Sequence, residues 1–354
     1  MSGTTTILTP SDRDEWLRYY KRAGEPGVYH HPDYLSMLAG NYEFESEQAE
    51  AFVYEDGDDL VYYPYLRRPL SGSLEEDVEA PTDGLSDIVS SWYYGGPFAS
   101  PSASTDASAA FADAFGDYCR EVGIVAEFVR FDPNEGNHRT FECLSPAHNR
   151  QTVPVDLSGT AEDVWEGYEE RNQRAIRQAR ETDLVVESTD DPTDIAGFHD
   201  IYTNAMDARD AAPHYRFDQS FFETLLETDL FSLLVARHEG ELVGGFVAAH
   251  DEKRGFHYLS ASNPDFWDMR VNNLMYHEVV IYMQETGREL FDFQGGRPGV
   301  FKFKKGFSPD RGEFYIGRNV HDRDAYDRLV AAAADAGVDT DSGYFPAYRV
   351  EQSN

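Results

Sequence analysis

The sequence predicts an α/β protein with mixed sheets, laid out as two tandem halves of one pattern. Three observations carry this expectation. Short β-rich runs alternate with amphipathic helical runs along all 354 residues. One order of elements (hairpin, strand, loop, helix, strand) occurs twice, about 180 residues apart, as a duplicated unit would. The two hairpins also share a pattern, AFVYEDGDDLVYYPYL against LLVARHEGELVGGFVA, and each turns on an acidic residue beside glycine.

Taken in order, residues 12–23 and 32–39 read as helices and 50–69 as the first hairpin. Residues 86–98 read as a strand ending at Gly95, Gly96 and Pro97, and 99–108 as a polar loop. A helix over 109–122 and a strand over 124–131 close the first half. SPAHNRQTVP then breaks the pattern with two prolines, which sets a boundary near 145–155 and domains of 1–150 and 151–354. A long helix is expected over about 160–182. The second half continues with the hairpin at 231–250, a strand at 255–261, a loop at 262–269, an amphipathic helix at 271–286 and a strand at 289–294 ending at Gly295 and Gly296. The tail at 338–343 reads as flexible, and FPAYR at 345–349 as a segment able to dock as a last strand.

The net charge is −35, built from 65 acidic residues against 30 basic ones. Only five of the basic residues are lysine: Lys21, Lys253, Lys302, Lys304 and Lys305. Acid excess with depleted lysine reads as a surface adapted to high salt, which screens the self-repulsion. The alternative is an acidic protein that binds cations or basic partners. Two cysteines without CxxC spacing fit a reducing compartment. The first 20 residues carry no apolar leader core, and no run approaches a membrane span, so the expectation is a soluble, cytoplasmic protein. His199, His214, His238 and His250 show no metal spacing, and no metal is expected. Walker A, GxSxG and strand-GxGxxG-helix patterns are absent.

Two stretches have the residues for chemistry. In EERNQRAIRQARE, Arg171, Arg174, Arg177 and Arg180 recur every third residue and make a basic sector on a helix. They fit charge-assisted contacts to a phosphate or pyrophosphate, or pairing with surface carboxylates. In FDFQGGRPGVFKFKKGF, three of the five lysines fall within four positions. Read as a strand, this stretch sets Lys302 and Lys304 on one face and Phe301, Phe303 and Lys305 on the other. A lysine beside an apolar wall suits oxyanion stabilisation; a solvated basic edge is the plainer reading. Asp292 is a candidate general base or a buried structural carboxylate. The run Trp92, Tyr93, Tyr94 lines a sugar or peptide pocket or packs in the core.

With these residues in view, the chain resembles the Fem family of aminoacyl transferases and the related CelD/BioF-like acetyltransferases of GNAT fold, in a haloarchaeal-type form. VYHHPDYLSML, RNQRAIRQAR, ARHEGELVGGFVAAHD, FDFQGG and FKFKKGF carry the resemblance, in the family's order. It implies two tandem GNAT-like domains. It also implies an acyl-transfer centre at Phe303 and Lys304, with Lys304 stabilising the tetrahedral intermediate, and an acceptor cleft lined by Tyr94, Arg209 and Tyr258. Arg171, Arg174 and Arg177 are then the contacts to the donor. The coiled-coil arm of some Fem proteins and the usual GNAT pyrophosphate loop have no counterpart.

The function expected is N-acyl transfer from acyl-CoA, as co-substrate without a permanently bound cofactor, to an amine on an amino sugar or cell-surface precursor. Aminoacyl-tRNA is the alternative donor, opposed by the acidic surface because nucleic-acid affinity comes from phosphate neutralisation. A non-catalytic metabolite-binding protein is the third reading.

Overall fold

The computed structural model describes residues 3–41, 48–71, 74, 78, 80, 82–211 and 215–349. In chain order the first elements are β1 (Thr4–Leu8), α1 (Arg13–Arg22), α2 (Pro32–Asn41), β2 (Gln48–Asp56), β3 (Asp59–Pro69), β4 (Ser86–Val89) and β5 (Phe98–Ala99). Next come α3 (Ala107–Glu121), β6 (Ile124–Arg130), β7 (Ala147–Thr152), β8 (Pro154–Asp156), α4 (Ala161–Glu166), α5 (Glu170–Arg180) and β9 (Leu184–Thr189). Then follow α6 (Pro192–Asp207), α7 (Gln219–Leu226), β10 (Phe231–His238), β11 (Glu241–His250), β12 (Arg254–Ser262) and α8 (Val271–Glu285). The last are β13 (Leu290–Asp292), α9 (Pro298–Lys304), β14 (Gly312–Val320) and α10 (Arg323–Asp335). Among the described residues no helix is long and apolar enough to cross a membrane.

The chain forms two compact units, Met1–Asn149 with Phe314–Ser353, and Arg150–Glu313. The chain passes from the first unit to the second after Asn149, and the second unit ends at Glu313. The reason is β14, which pairs antiparallel with β6, Ile316 opposite Arg130, and returns the C-terminal segment to the first sheet.

The sheet of the first unit runs β1-β2-β3-β4-β6-β14-β7, with β5 against β3. β4 and β6 are parallel, joined through α3. Leu60–Leu66 of β3 are buried on both faces. Phe111 and Phe115 of α3 cover Phe52, Tyr63 and Tyr65 on one side. Trp16 of α1 donates its indole N–H to the Tyr62 hydroxyl at 2.6 Å. The second sheet runs β8-β13-β12-β11-β10-β9. Here β12 and β13 are the parallel pair, joined through α8, and the other pairs are antiparallel. α5 and α8 pack together against this sheet, and α6 with α7 adds a second layer. At Gly245 of β11 a Cβ would stand 2.3 Å from the Phe198 ring of α6, so only glycine admits that helix. Strand for strand, β1-β2-β3-β4-β6-β14 repeats as β9-β10-β11-β12-β13-β8, with the parallel pair at the same place.

Four local expectations change. The helix of 160–182 is two helices: Thr160 caps α4 with a capping box, and the chain breaks at Gly167 before α5. The strand of 86–98 stops at Val89, and Tyr93 takes a φ of 72°. The 301–307 stretch is not a strand. Pro298 at the first helical position opens α9, followed by a 3-10 turn at Lys305–Phe307. FPAYR docks without forming a strand: Tyr348 is buried, and Arg349 reaches Asp87 at 2.6 Å. His214 lies outside the described residues.

Candidate functional site

The parallel pair of the second unit is short. β13 matches β12 at Arg254↔Leu290, Gly255↔Phe291 and Phe256↔Asp292 and then stops, while β12 continues to Ser262. Gln294 at φ 61° and Gly296 at φ 148° turn the chain away. The fully buried Asp292 fixes that turn by accepting from the Gln294 N–H at 2.7 Å. Beyond Phe256 and Asp292 the strands therefore part, and backbone groups face into a wedge.

Lys304 fills the wedge. It is 4% exposed. Its Nζ donates to the Gly295 carbonyl at 3.0 Å and lies 3.4 Å from His257 Nδ1, bridging the two strands. The helix explains how. Phe307 is four residues from Phe303 and three from Lys304, so all three turn toward the inward side of α9 and its 3-10 extension, while Lys302 points out. Burial pulls the Lys304 ammonium down to about 7, and Asp292 only partly offsets this. The same burial, with Lys304 next to it, holds His257 well below its usual value and hence neutral. Burial pushes the Tyr276 phenol up to about 12; the Ser260 hydrogen bond and the charge of Arg209 pull the other way.

Phe303 forms one wall. Its ring meets Tyr276 edge-on at 5.0 Å and Phe307 at 5.3 Å. Its other side lines a groove of about 410 Å³ together with Arg171, Asn172, Arg174, Arg270, Asn273 and Lys302. Arg270 caps the N-terminus of α8, where a helix favours negative charge. Arg171 also donates to the Lys302 carbonyl at 2.7 Å, tying α5 to α9. The Asn172 side chain is 4% exposed, and its amide nitrogen has no partner. Four cations line the groove, but Arg171 is paired with Glu169 at 2.7 Å and Arg174 with Glu170 at 3.0 Å, so an anion there has to compete with two carboxylates.

The sequence-predicted residues separate accordingly. Lys304, Phe303, Arg171 and Arg174 come together in this region. Arg177 does not line the groove; its guanidinium lies 5.2 Å over the Trp165 ring. Arg180 joins it there and pairs with Glu278 at 3.0 Å. Arg209 is exposed beyond α6, close enough for its charge to act on Tyr276. Tyr258 is fully buried against Phe231, ring centroids 4.9 Å apart. Tyr94 belongs to the first unit, buried against Tyr29 and Phe314. Sequence reasoning missed His257, Ser260, Tyr276, Arg270 and Asn172.

A larger cavity, about 660 Å³, lies among β9, α6, α7 and Tyr282, lined by Asp190, Glu223 and Glu227. Ser232 there is 2.9 Å from His250 Nε2, the spacing of a nucleophile and its base. The tautomer is wrong for that task. Arg288 donates to His250 Nδ1 at 2.8 Å, so Nε2 carries the proton and donates to Ser232. Burial, with Arg288, also drives this imidazole down to about 4.

Comparison with known proteins agrees with the geometry. Residues 169–305 match the family described as acetyltransferase (GNAT) domain. The match takes in α5, the parted strands and Lys304. No curated protein sequence matches the chain. Among solved structures, FemX superposes with a TM-score of 0.65 at 12% identity, over 88% of this chain and 96% of that one. The C-terminal domain of a putative lysylphosphatidylglycerol synthetase from Agrobacterium fabrum gives 0.53 at 13% identity, over 91% and 96%. L-PGS from Bacillus licheniformis gives 0.51 at 10% identity, over 93% and 98%. At these identities what is shared is the fold. Residues 169–305 of the second unit thus match an acetyltransferase (GNAT) domain model, and its parted parallel strands hold one buried lysine.

Proposed function

We propose that the protein is an N-acyltransferase that moves an acyl group from acyl-CoA to an amine, on an amino sugar or another cell-surface precursor, in a salt-adapted cytoplasm. The observation that carries this reading is Lys304, buried in the wedge with Phe303 between it and the cationic groove. The donor's phosphates fit Arg171, Arg174, Arg270 and Lys302. Its thioester carbonyl then lies toward Phe303 and Lys304. The acceptor amine attacks that carbonyl, the C–N bond forms, and the oxyanion takes a hydrogen bond from the Lys304 ammonium. The C–S bond then breaks, and the surplus amine proton leaves with the thiol.

Calorimetry with acetyl-CoA in molar KCl tests the donor. Micromolar binding is expected, weakened about tenfold in Arg174→Ala. Thiol release with a panel of amino sugars tests the transfer. No binding at any salt would sink the CoA reading. A second reading, an aminoacyl-tRNA donor, is favoured by the likeness to FemX and to lysylphosphatidylglycerol synthetases. It predicts activity that ribonuclease abolishes. A non-catalytic sensor would bind acetyl-CoA yet release no thiol with any amine.

A further inference from the structure

Lys304 is one end of a run of side-chain contacts. From its Nζ the run passes to His257 Nδ1 at 3.4 Å, and from His257 Nε2 to the Ser260 hydroxyl at 3.0 Å and the Tyr276 hydroxyl at 3.3 Å. Ser260 and Tyr276 are 3.1 Å from each other, which closes a triangle about Nε2. On a regular strand residues three apart face opposite ways, so His257 and Ser260 should not meet. They meet because β12 carries a bulge. Val247 pairs with Leu259 and Ala248 with His257, leaving Tyr258 as the extra residue. The His257 ring is then set by Phe246 at 4.8 Å, edge-on, and Tyr276 at 5.6 Å.

The partners fix the tautomer. An ammonium has no lone pair, so a protonated Lys304 requires an unprotonated Nδ1, and the ring proton sits on Nε2, facing Ser260 and Tyr276. A histidine kept for packing alone would be satisfied by Ser260 and Tyr276; nothing would require its second nitrogen to face the one buried lysine.

We infer that His257 is a positioning residue for Lys304: held through Nε2 by Ser260 and Tyr276, it presents Nδ1 as a fixed acceptor that sets the direction and proton affinity of the lysine amine. Its effect on rate rests on the acyl-transfer reading; its effect on Lys304 does not. The other groups acting on Lys304 are the charge of Asp292 from β13 and the Gly295 carbonyl, to which the ammonium donates.

The lysine-poor composition makes the test direct. Lysine labelled with carbon-13 at Cε gives five resonances, one per lysine of the chain, and Lys304→Met assigns the buried one. In His257→Asn the amide oxygen replaces Nδ1, and the Lys304 midpoint should stay within about 0.3 pH units of wild type. In His257→Phe the acceptor is gone, and the midpoint should fall by about one unit. With an acyl donor and acceptor, His257→Phe should lower kcat about tenfold at nearly constant KM, and His257→Asn should recover most of it. If His257→Phe does not fold, the pair Ser260→Ala with Tyr276→Phe frees the ring and should move the midpoint in the same direction by less. A Lys304 midpoint unchanged in all variants, or shifted equally by Asn and Phe, overturns the proposal. Midpoints that shift as expected without transfer from any donor would uphold the positioning and reject the acyl-transfer reading.

Discussion

The two sheets repeat one topology but treat its parallel pair in opposite ways. In the first unit β4 and β6 stay closed. The ladder runs from Ser86↔Ile124 to Val89↔Phe128, Ser90 adds an N–H to the Phe128 carbonyl at 3.0 Å, and a bridge at Gly95↔Phe131 follows. Buried carboxylates in that unit are held by side-chain donors. Asp87 takes Arg68 and Arg349, each at 2.6 Å, and Glu127 accepts from Tyr63 at 2.6 Å. In the second unit the pair opens after Asp292, and one lysine, attended by neutral groups and a single carboxylate, occupies the gap. The same frame thus stays closed around well-paired carboxylates in one unit and opens around a buried lysine in the other. Burial that disfavours its own charge sets Lys304 apart from Asp87.

The comparison can be broken at several points. The largest effect is expected at Asp87→Ala, which strands two buried guanidinium groups and should cost about 3–5 kcal/mol of stability, measured by denaturant unfolding. Next is Lys304→Met. It should lower kcat by about 10²–10³-fold while leaving stability equal or higher, since a buried charge with weak compensation is removed. If stability instead drops as at Asp87, Lys304 is a structural group and the contrast between the units fails.

The pH dependence sharpens the same contrast. Burial pushes Asp87 up, but Arg349 and Arg68 outweigh it and hold it below 3.8. The stability it contributes is therefore present above that value and lost as pH falls through its folded-state pKa. Lys304 drops from 10.5 to about 7 on folding. Below 7 both states are protonated and the full burial cost stands; between 7 and 10.5 the unfolded chain binds more protons, so stability rises with pH. Lys304→Met should abolish that alkaline rise and keep the acid loss. A smaller effect, about tenfold in acetyl-CoA affinity, is expected for Arg174→Ala. Arg177→Ala, which removes a cation from Trp165 rather than from the groove, should change affinity less than about twofold.

Much of this was legible before the structure. Both hairpins, α1, α2, α3, β6, β12 and α8 fall where their apolar runs, periodicity and turn residues place them. The lysine cluster marked the stretch that holds the buried Lys304. What misled was its alternation: FKFK has the period of a strand, yet Pro298 and the inward spacing of Phe303, Lys304 and Phe307 make it helical. His257 was invisible for a related reason. Its meeting with Ser260 depends on a bulge, and nothing in GFHYLSA marks which residue is the extra one. The split of the arginine sector was hidden as well, since it depends on Trp165 lying beside Arg177 and Arg180 but not beside Arg174.

The return of the C-terminal segment to the first unit has a consequence during synthesis. Arg349 leaves the ribosome 262 residues after the Asp87 it pairs with. At about 5–20 residues per second this delay is roughly 13–50 s. For most of it the first sheet lacks β14, and throughout it Asp87 lacks one of its two cations. The second unit is continuous in sequence from Arg150 to Glu313 and can finish while the first waits. The domain that begins first is thus completed last, and a nascent chain halted after Glu313 should carry a folded second unit behind an unfinished first one.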